Sequence, residues 1–121
     1  MKSNIKILFF GLGSIGQRHL INLYGILGKK VNFYAYRSKE RKLIKNTKAE
    51  KKTVDIIKKY KIKTIKEINK IENENIDIIF ITNPSSLHLN TVLNLKNLKN
   101  KYIFIEKPLD ASLISYKKFN N

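Results

Sequence analysis

Two groups of residues in this sequence have types and spacing that can do chemistry. The first is Gly11-Leu12-Gly13-Ser14-Ile15-Gly16, a G-x-G-x-x-G run. Gly11 permits a tight turn. Gly13 has no side chain to keep a pyrophosphate off the backbone, and Gly16 lets the following helix pack close to the preceding strand. The free N–H groups around Ser14 and Ile15, at the positive end of the helix dipole, then face the phosphate charge. Gln17-Arg18 follows Gly16, which excludes the loop type that ends in Lys-Ser or Lys-Thr. The second group is Tyr36-Arg37-Ser38, some 20 residues further on. An Asp or Glu there would bind the adenosine ribose hydroxyls and favour NAD. Arg37 can instead stack on adenine and, with Ser38 and Lys39, pair with a 2′-phosphate. The spacing therefore predicts NADP, with NAD as the alternative. Glu40 lies too far along to replace the missing acid.

These residues need a frame to hold them. Residues 4–10, NIKILFF, form a short apolar run suited to a buried parallel strand. The glycine run follows it directly, and after that comes a helical stripe of Ile15, His19, Leu20, Leu23 and Leu27, with Gly28 at the helix C-terminus. Further strands are read at 31–36, 61–65, 76–82 and 102–106. Helices are read around 40–45, over 49–60, briefly at 66–71, over 85–98 and over 111–119. Alternating strands and helices predict one α/β domain over residues 1–121. Its sheet is open and parallel, in strand order 3-2-1-4-5, with helices on both faces.

Composition bounds the alternatives. With no cysteine, and with His19 and His88 far apart, the chain offers no disulfide framework, no thiol nucleophile and no expected metal site. The net charge of +16 raises nucleic acid as a partner. However, 55 of the 121 residues are Lys, Ile or Asn and only three are Arg. Those three abundant types share A/T-rich codons, and phosphate and base readers favour Arg. We therefore expect neither nucleic acid nor membrane as a partner. No run approaches the ~20 apolar residues of a membrane span. Lys2 and Lys6 precede an apolar run without a small-residue cleavage site after it, so the expected location is the cytoplasm.

Three segments taken together resemble the glucose–fructose oxidoreductase/inositol dehydrogenase (Gfo/Idh/MocA) family. They are GLGSIGQRH, IDIIFITNPSSLH and IFIEKPL. The resemblance implies a dinucleotide-binding domain of the Rossmann type. It implies that Thr82, Asn83 and Pro84 line the cofactor at the end of the fourth strand, and that His88 faces the same crevice. It also implies that Glu106, Lys107 and Pro108 close the fifth strand. Lys107 would reach the nicotinamide and the substrate oxygen, where a cation stabilises a developing alkoxide. On this reading Lys107 is the catalytic residue of the segment, and the substrate is a sugar or polyol. His88 has a capping or packing role as its alternative, His19 is expected to be a packing residue, and Arg18 has no assigned role. GLGSIGQRH and FITNPSSLH further resemble members that serve bacterial surface-polysaccharide biosynthesis.

Family members continue for about 200 residues beyond this point. The continuation is a second domain with the proton-transfer Asp and His and the oligomer interface. The resemblance thus implies that this segment alone is inactive, as hydride transfer also needs an acid or base in reach of the substrate. It implies a homo-oligomer as well. A non-catalytic dinucleotide sensor and, further off, a basic nucleic-acid-binding protein are the alternatives. The fifth strand is expected at the sheet edge, with Ile103 and Ile105 partly uncovered and open to association.

Overall fold

A computed structural model describes residues 4–37, 55–83, 91, 95 and 101–107. Its centre is β1 (Ile5–Phe10), which pairs in parallel with β2 (Val31–Tyr36) on one side and β4 (Ile78–Ile81) on the other. β3 (Lys63–Ile65) extends the sheet beyond β2, and β5 (Tyr102–Ile105) extends it beyond β4. The order is β3-β2-β1-β4-β5, all parallel, as the strand–helix alternation requires.

The two-residue period of a strand splits the apolar runs into two cores. Leu8, Phe10, Tyr34, Ile65, Ile79 and Ile81 face one side. Ile7, Phe9, Phe33, Ala35 and Phe80 face the other. Because β1 is covered on both faces, its run is continuously apolar rather than alternating, and Ile7, Leu8 and Phe9 are fully buried. The helix α1 (Ser14–Leu27) covers the second face with Leu20, Leu23 and Leu27. Helical residues 55–59 add Ile56 and Ile57 to the same face. On the first face Ile68, Ile71, Ile76 and Leu95 cover the sheet.

Parallel pairing puts Phe9, Phe80 and Phe104 in register on neighbouring strands. Their rings stack, with centroids 5.0 Å apart for Phe9–Phe80 and 4.8 Å for Phe80–Phe104. Phe33 meets Phe9 at 6.1 Å on the other flank. This row ties four strands together beneath α1 and adds to simple area burial.

Several boundaries differ from the sequence reading for identifiable reasons. β4 begins at Ile78, and just before it the Asp77 N–H donates to the Lys6 carbonyl at 2.9 Å while its carboxylate, in place of a backbone carbonyl, accepts from the Lys6 N–H at 2.8 Å. β3 begins at Lys63, because Lys61 has φ +51° and closes the preceding helical segment, with Ile62 N–H donating to the Ile57 carbonyl at 2.9 Å. The helix expected at 66–71 is instead two 3-10 turns, Ile68–Lys70 and Glu72–Glu74, ended by Asn75 at φ +53°. Asn tolerates that left-handed geometry better than most residues. Ile15 belongs to the predicted apolar stripe but is 49% exposed. The buried side of α1 is Gly16 and Leu20, and Ile15 is turned about 100° away from Gly16. Of the helix expected over 85–98, Thr91 is helical and Leu95 is not, and the rest lies outside the described residues. The helices expected at 40–45 and 111–119 lie outside the described residues.

Among the described residues β5 has one strand neighbour, and Tyr102 is 77% exposed, while Ile103 and Ile105 are partly covered by the core. No helix among the described residues is long and apolar enough to cross a membrane.

Phe80 sits at the middle of the aromatic row, so Phe80→Ala should cost about 3–5 kcal/mol. Urea denaturation of the variant measures it. A loss under about 1 kcal/mol would mean that the row does not carry the packing assigned to it.

Candidate functional site

The strand register lines up four ends. Phe10 pairs with Tyr36 and with Ile81, and Ile81 pairs with Ile105. Gly11, Arg37, Thr82 and Glu106 are therefore the first residues beyond four aligned strands. A last ladder bond anchors three of them: Arg37 N–H to the Ile65 carbonyl at 2.9 Å, Thr82 N–H to Phe10 at 2.9 Å and Glu106 N–H to Ile81 at 3.0 Å. The chain leaves β1 for β2 on one side while β4 lies on the other, so this edge contains the point where strand order reverses. Ligands of open parallel sheets bind at such a point.

The glycine loop crosses it in a strained path that glycine tolerates. Gly11 has φ +101°, and a Cβ there would stand 2.6 Å from the Asn83 backbone. A Cβ on Gly16 would overlap the Gly11 carbonyl oxygen and come 2.9 Å from Thr82 Oγ1. Gly16 thus packs against the loop and the end of β4, a closer and more specific contact than the strand packing read from the motif. The Thr82 hydroxyl donates to the Gly11 carbonyl at 2.7 Å and ties the two segments. Gln17 holds the loop from the helix side, its amide nitrogen donating to the Leu12 carbonyl at 2.8 Å.

Gly13 differs from its neighbours, since a Cβ placed there meets nothing within 4 Å. The space beside it is open. Gly13 is the N-cap of α1, with no side-chain cap and no acidic residue in the first turn. The helix start therefore offers N–H groups and a positive dipole end with no local carboxylate in competition. An open glycine at an uncapped, acid-free helix start fits the pyrophosphate of a dinucleotide.

At the β5 end, Glu106 accepts from His19 Nε2 at 2.8 Å. The pair joins the second turn of α1 to the end of β5, and both side chains are about a quarter exposed. The His19 ring packs on Phe80 and Phe104 at 5.7 and 5.3 Å. The hydrogen bond from His19 holds the Glu106 carboxyl below the usual carboxylate range, partial burial opposes this, and the Lys107 backbone N–H assists it. Lys107 itself is exposed. His19 is thus a packing residue, as expected, and also a hydrogen-bond partner, which its spacing alone did not reveal. Asn83 is likewise engaged, with its amide donating to Thr91 Oγ1 at 2.8 Å. Of the residues singled out in the sequence, Gly11, Gly13, Ser14, Ile15, Gly16, Arg37, Thr82, Asn83, Glu106 and Lys107 lie on this edge. Ser38, Pro84, His88 and Pro108 lie outside the described residues. Among the described residues no group of three His, Asp or Glu side chains could hold a metal ion.

The sequence matches the oxidoreductase family with an NAD-binding Rossmann fold over residues 5–119. No curated protein matches it. Solved structures with the same fold include scyllo-inositol dehydrogenase from Lactobacillus casei with bound NAD(H) and scyllo-inositol. It is 24% identical, with a TM-score of 0.65, over 97% of this chain and 32% of that one. Myo-inositol 2-dehydrogenase from Lactobacillus plantarum is 21% identical, with a TM-score of 0.69, over 98% and 32%. The WlbA dehydrogenase from Chromobacterium violaceum, in complex with NADH and UDP-GlcNAcA, is 14% identical, with a TM-score of 0.67, over 99% and 32%. The chain spans about a third of the length of the structures it resembles.

Two substitutions should separate loop packing from ligand contact. Gly16→Ala gains about 1 kcal/mol of helix propensity, but its Cβ meets a backbone carbonyl that cannot swing away. Overpacking of about 1–3 kcal/mol should win, giving a net loss of stability. Gly13→Ala should change stability by no more than about 1 kcal/mol and yet weaken dinucleotide binding about tenfold or more. Thermal melts and calorimetric titration read both, and a Gly13→Ala protein with unchanged affinity would contradict the loop assignment.

The Glu106 shift has a definite pH signature. A carboxylate with a depressed folded-state pKa adds stability above its unfolded pKa and loses it as pH falls through the folded one. The gap in Tm between the natural chain and Glu106→Gln, measured at about pH 5.5, should therefore close as pH drops below about 4. A gap unchanged down to about pH 2 would remove Glu106 from that role.

Proposed function

We propose that this chain, which belongs to the oxidoreductase family with the NAD-binding Rossmann fold, is the cofactor platform of an enzyme acting on a sugar or polyol. The reaction is hydride transfer between a nicotinamide dinucleotide and a hydroxyl or carbonyl of that substrate. The observation that carries this reading is the open space at Gly13, set at the start of α1 and at the strand-order switch point. Scyllo-inositol and UDP-GlcNAcA, held beside NAD(H) or NADH in two structures of this fold, support the substrate class. The resemblance of GLGSIGQRH and FITNPSSLH to members that serve bacterial surface-polysaccharide biosynthesis extends the reading to that role, and the nucleotide-activated sugar in the second structure is compatible with it.

The nicotinamide dinucleotide supplies the hydride chemistry when bound, and the chain supplies binding and orientation. The N–H groups at Ser14, Ile15 and Gly16 receive the pyrophosphate, and Gly11 and Gly13 let it approach. Thr82 fixes the loop by its bond to Gly11. Asn83, Pro84 and His88 line the nicotinamide side, and Glu106 and Pro108 shape the turn that presents Lys107. Lys107 is the catalytic residue of this segment: its ammonium stabilises negative charge on the substrate oxygen. The 1–121 segment is one domain, and the rest of the enzyme carries substrate binding and proton transfer. The enzyme works in the cytoplasm as a homo-oligomer, with neither nucleic acid nor membrane as partner.

Within this reading the cofactor is NADP in preference to NAD. Arg37 stands one residue past β2, where the ribose-binding acid of an NAD site would be, and Ser38 follows it. Calorimetric titration of both dinucleotides tests the platform and the preference together. NADP should bind more tightly, and Arg37→Ala should weaken NADP roughly tenfold or more while changing NAD little. Equal affinities, or tighter NAD, would refute the preference, and binding of neither would refute the platform.

A further inference from the structure

We propose that His19 is a positioning residue for Lys107, acting through Glu106. The inference rests on the reading above, in which Lys107 faces the nicotinamide. Three observations converge on it. His19 Nε2 lies 2.8 Å from Glu106 Oε2, with both side chains partly withdrawn from water. The imidazole cannot swing freely, because Phe80 and Phe104 flank it. Lys107 follows Glu106 directly at the end of β5, where the Glu106 N–H donates to the Ile81 carbonyl at 3.0 Å. The His19–Glu106 bond therefore ties a ring on α1 to the residue that immediately precedes the lysine.

The consequence follows from where His19 sits. It lies five residues after Ser14, about 7.5 Å along the helix whose start receives the pyrophosphate. The Glu106–Lys107 turn leaves β5, which has one strand neighbour among the described residues, and Lys107 is exposed. The bond from His19 makes α1 and the turn one unit, so the lysine keeps a set distance from the phosphate-holding loop. Removing the donor leaves Glu106 to turn toward water and frees the turn, with no change at Gly11, Gly13 or Arg37.

The test separates this role from a merely structural one. The 121-residue chain is titrated with NADPH or NADH, whichever it binds more tightly, and with the corresponding ADP-ribose, which lacks nicotinamide. His19→Leu keeps bulk on the aromatic row and removes the donor. His19→Gln keeps a nitrogen donor close to the place of Nε2. Lys107→Ala removes the group to be positioned. His19→Leu and Lys107→Ala should each weaken the whole dinucleotide about five- to tenfold and leave the ADP-ribose affinity within about twofold. The double variant should be no weaker than either single one, because both remove the same contact. His19→Gln should restore most of the affinity. If His19→Leu does not fold, Glu106→Met severs the same link from the other side and carries the same comparison. Equal losses for dinucleotide and ADP-ribose in His19→Leu would assign His19 to folding alone and overturn the inference. So would an unchanged dinucleotide affinity in His19→Leu when Lys107→Ala lowers it. An unchanged affinity in Lys107→Ala would overturn the reading of Lys107 itself.

Discussion

The candidate site depends on one close approach: the backbone leaving β1 and the backbone leaving β4 meet without side chains between them. A Cβ on Gly11 or Gly16 would come within van der Waals overlap of Asn83, Thr82 or the loop's own carbonyl. Only glycine at both places lets α1 start directly over the end of the sheet. Once it does, the Thr82 hydroxyl is in range of the Gly11 carbonyl and closes the contact with a hydrogen bond. The open position at Gly13 is a product of this arrangement. The loop is pinned on both sides of it, so the uncapped helix start is held outward rather than collapsed onto the strands.

The aromatic row beneath α1 does for the β5 side what the glycines do for the β1 side. Phe9, Phe80 and Phe104 are in register because parallel strands keep identical spacing, and their stacked rings give α1 a flat surface on which to lie. His19 uses that surface, resting on two of the rings while it reaches Glu106. A partly buried charged hydrogen bond of this kind is strong because little water competes for it, and directional because the ring has few other orientations. The glycine loop and the Glu-Lys turn are thus supported by different physics, close backbone packing in one case and an oriented hydrogen bond to a carboxylate in the other.

The large positive charge has a visible part in the fold at the opposite end of the sheet. Lys6 and Lys101 donate to the carbonyls of Glu74 and Ile76 at 3.0 and 2.8 Å, and Lys63 pairs with Glu74 at 2.7 Å. Lys6 and Lys101 satisfy backbone oxygens in the segment that leads into β4, and Lys63 pairs with a carboxylate of the same segment. Lysine serves such duty well, because its long stem lies along apolar surface while the ammonium reaches a carbonyl.

Much of this was legible in the chain itself. Apolar runs of strand length, broken by glycine and helical stripes, are enough to determine an open parallel sheet and its order, since right-handed crossovers leave few alternatives. Gly11, Gly13 and Gly16 declare a phosphate loop by spacing, and Arg37 stands where an acid is missing. Short-range rules failed where long-range contacts decided. Lys61 and Asn75 adopt left-handed turns that trim the neighbouring elements, and Ile71 is drawn onto the core, which favours 3-10 turns over a regular helix. The link from Thr82 to Gly11 spans 71 positions, and that from His19 to Glu106 spans 87. No periodicity or motif records such pairs, because they exist only once strands β1, β4 and β5 have aligned their ends. The sequence by itself determined which residue types stand at those ends. The tertiary structure decided which of them touch, because a hydrogen bond needs its donor and acceptor within about 3 Å and only the folded sheet brings these pairs that close.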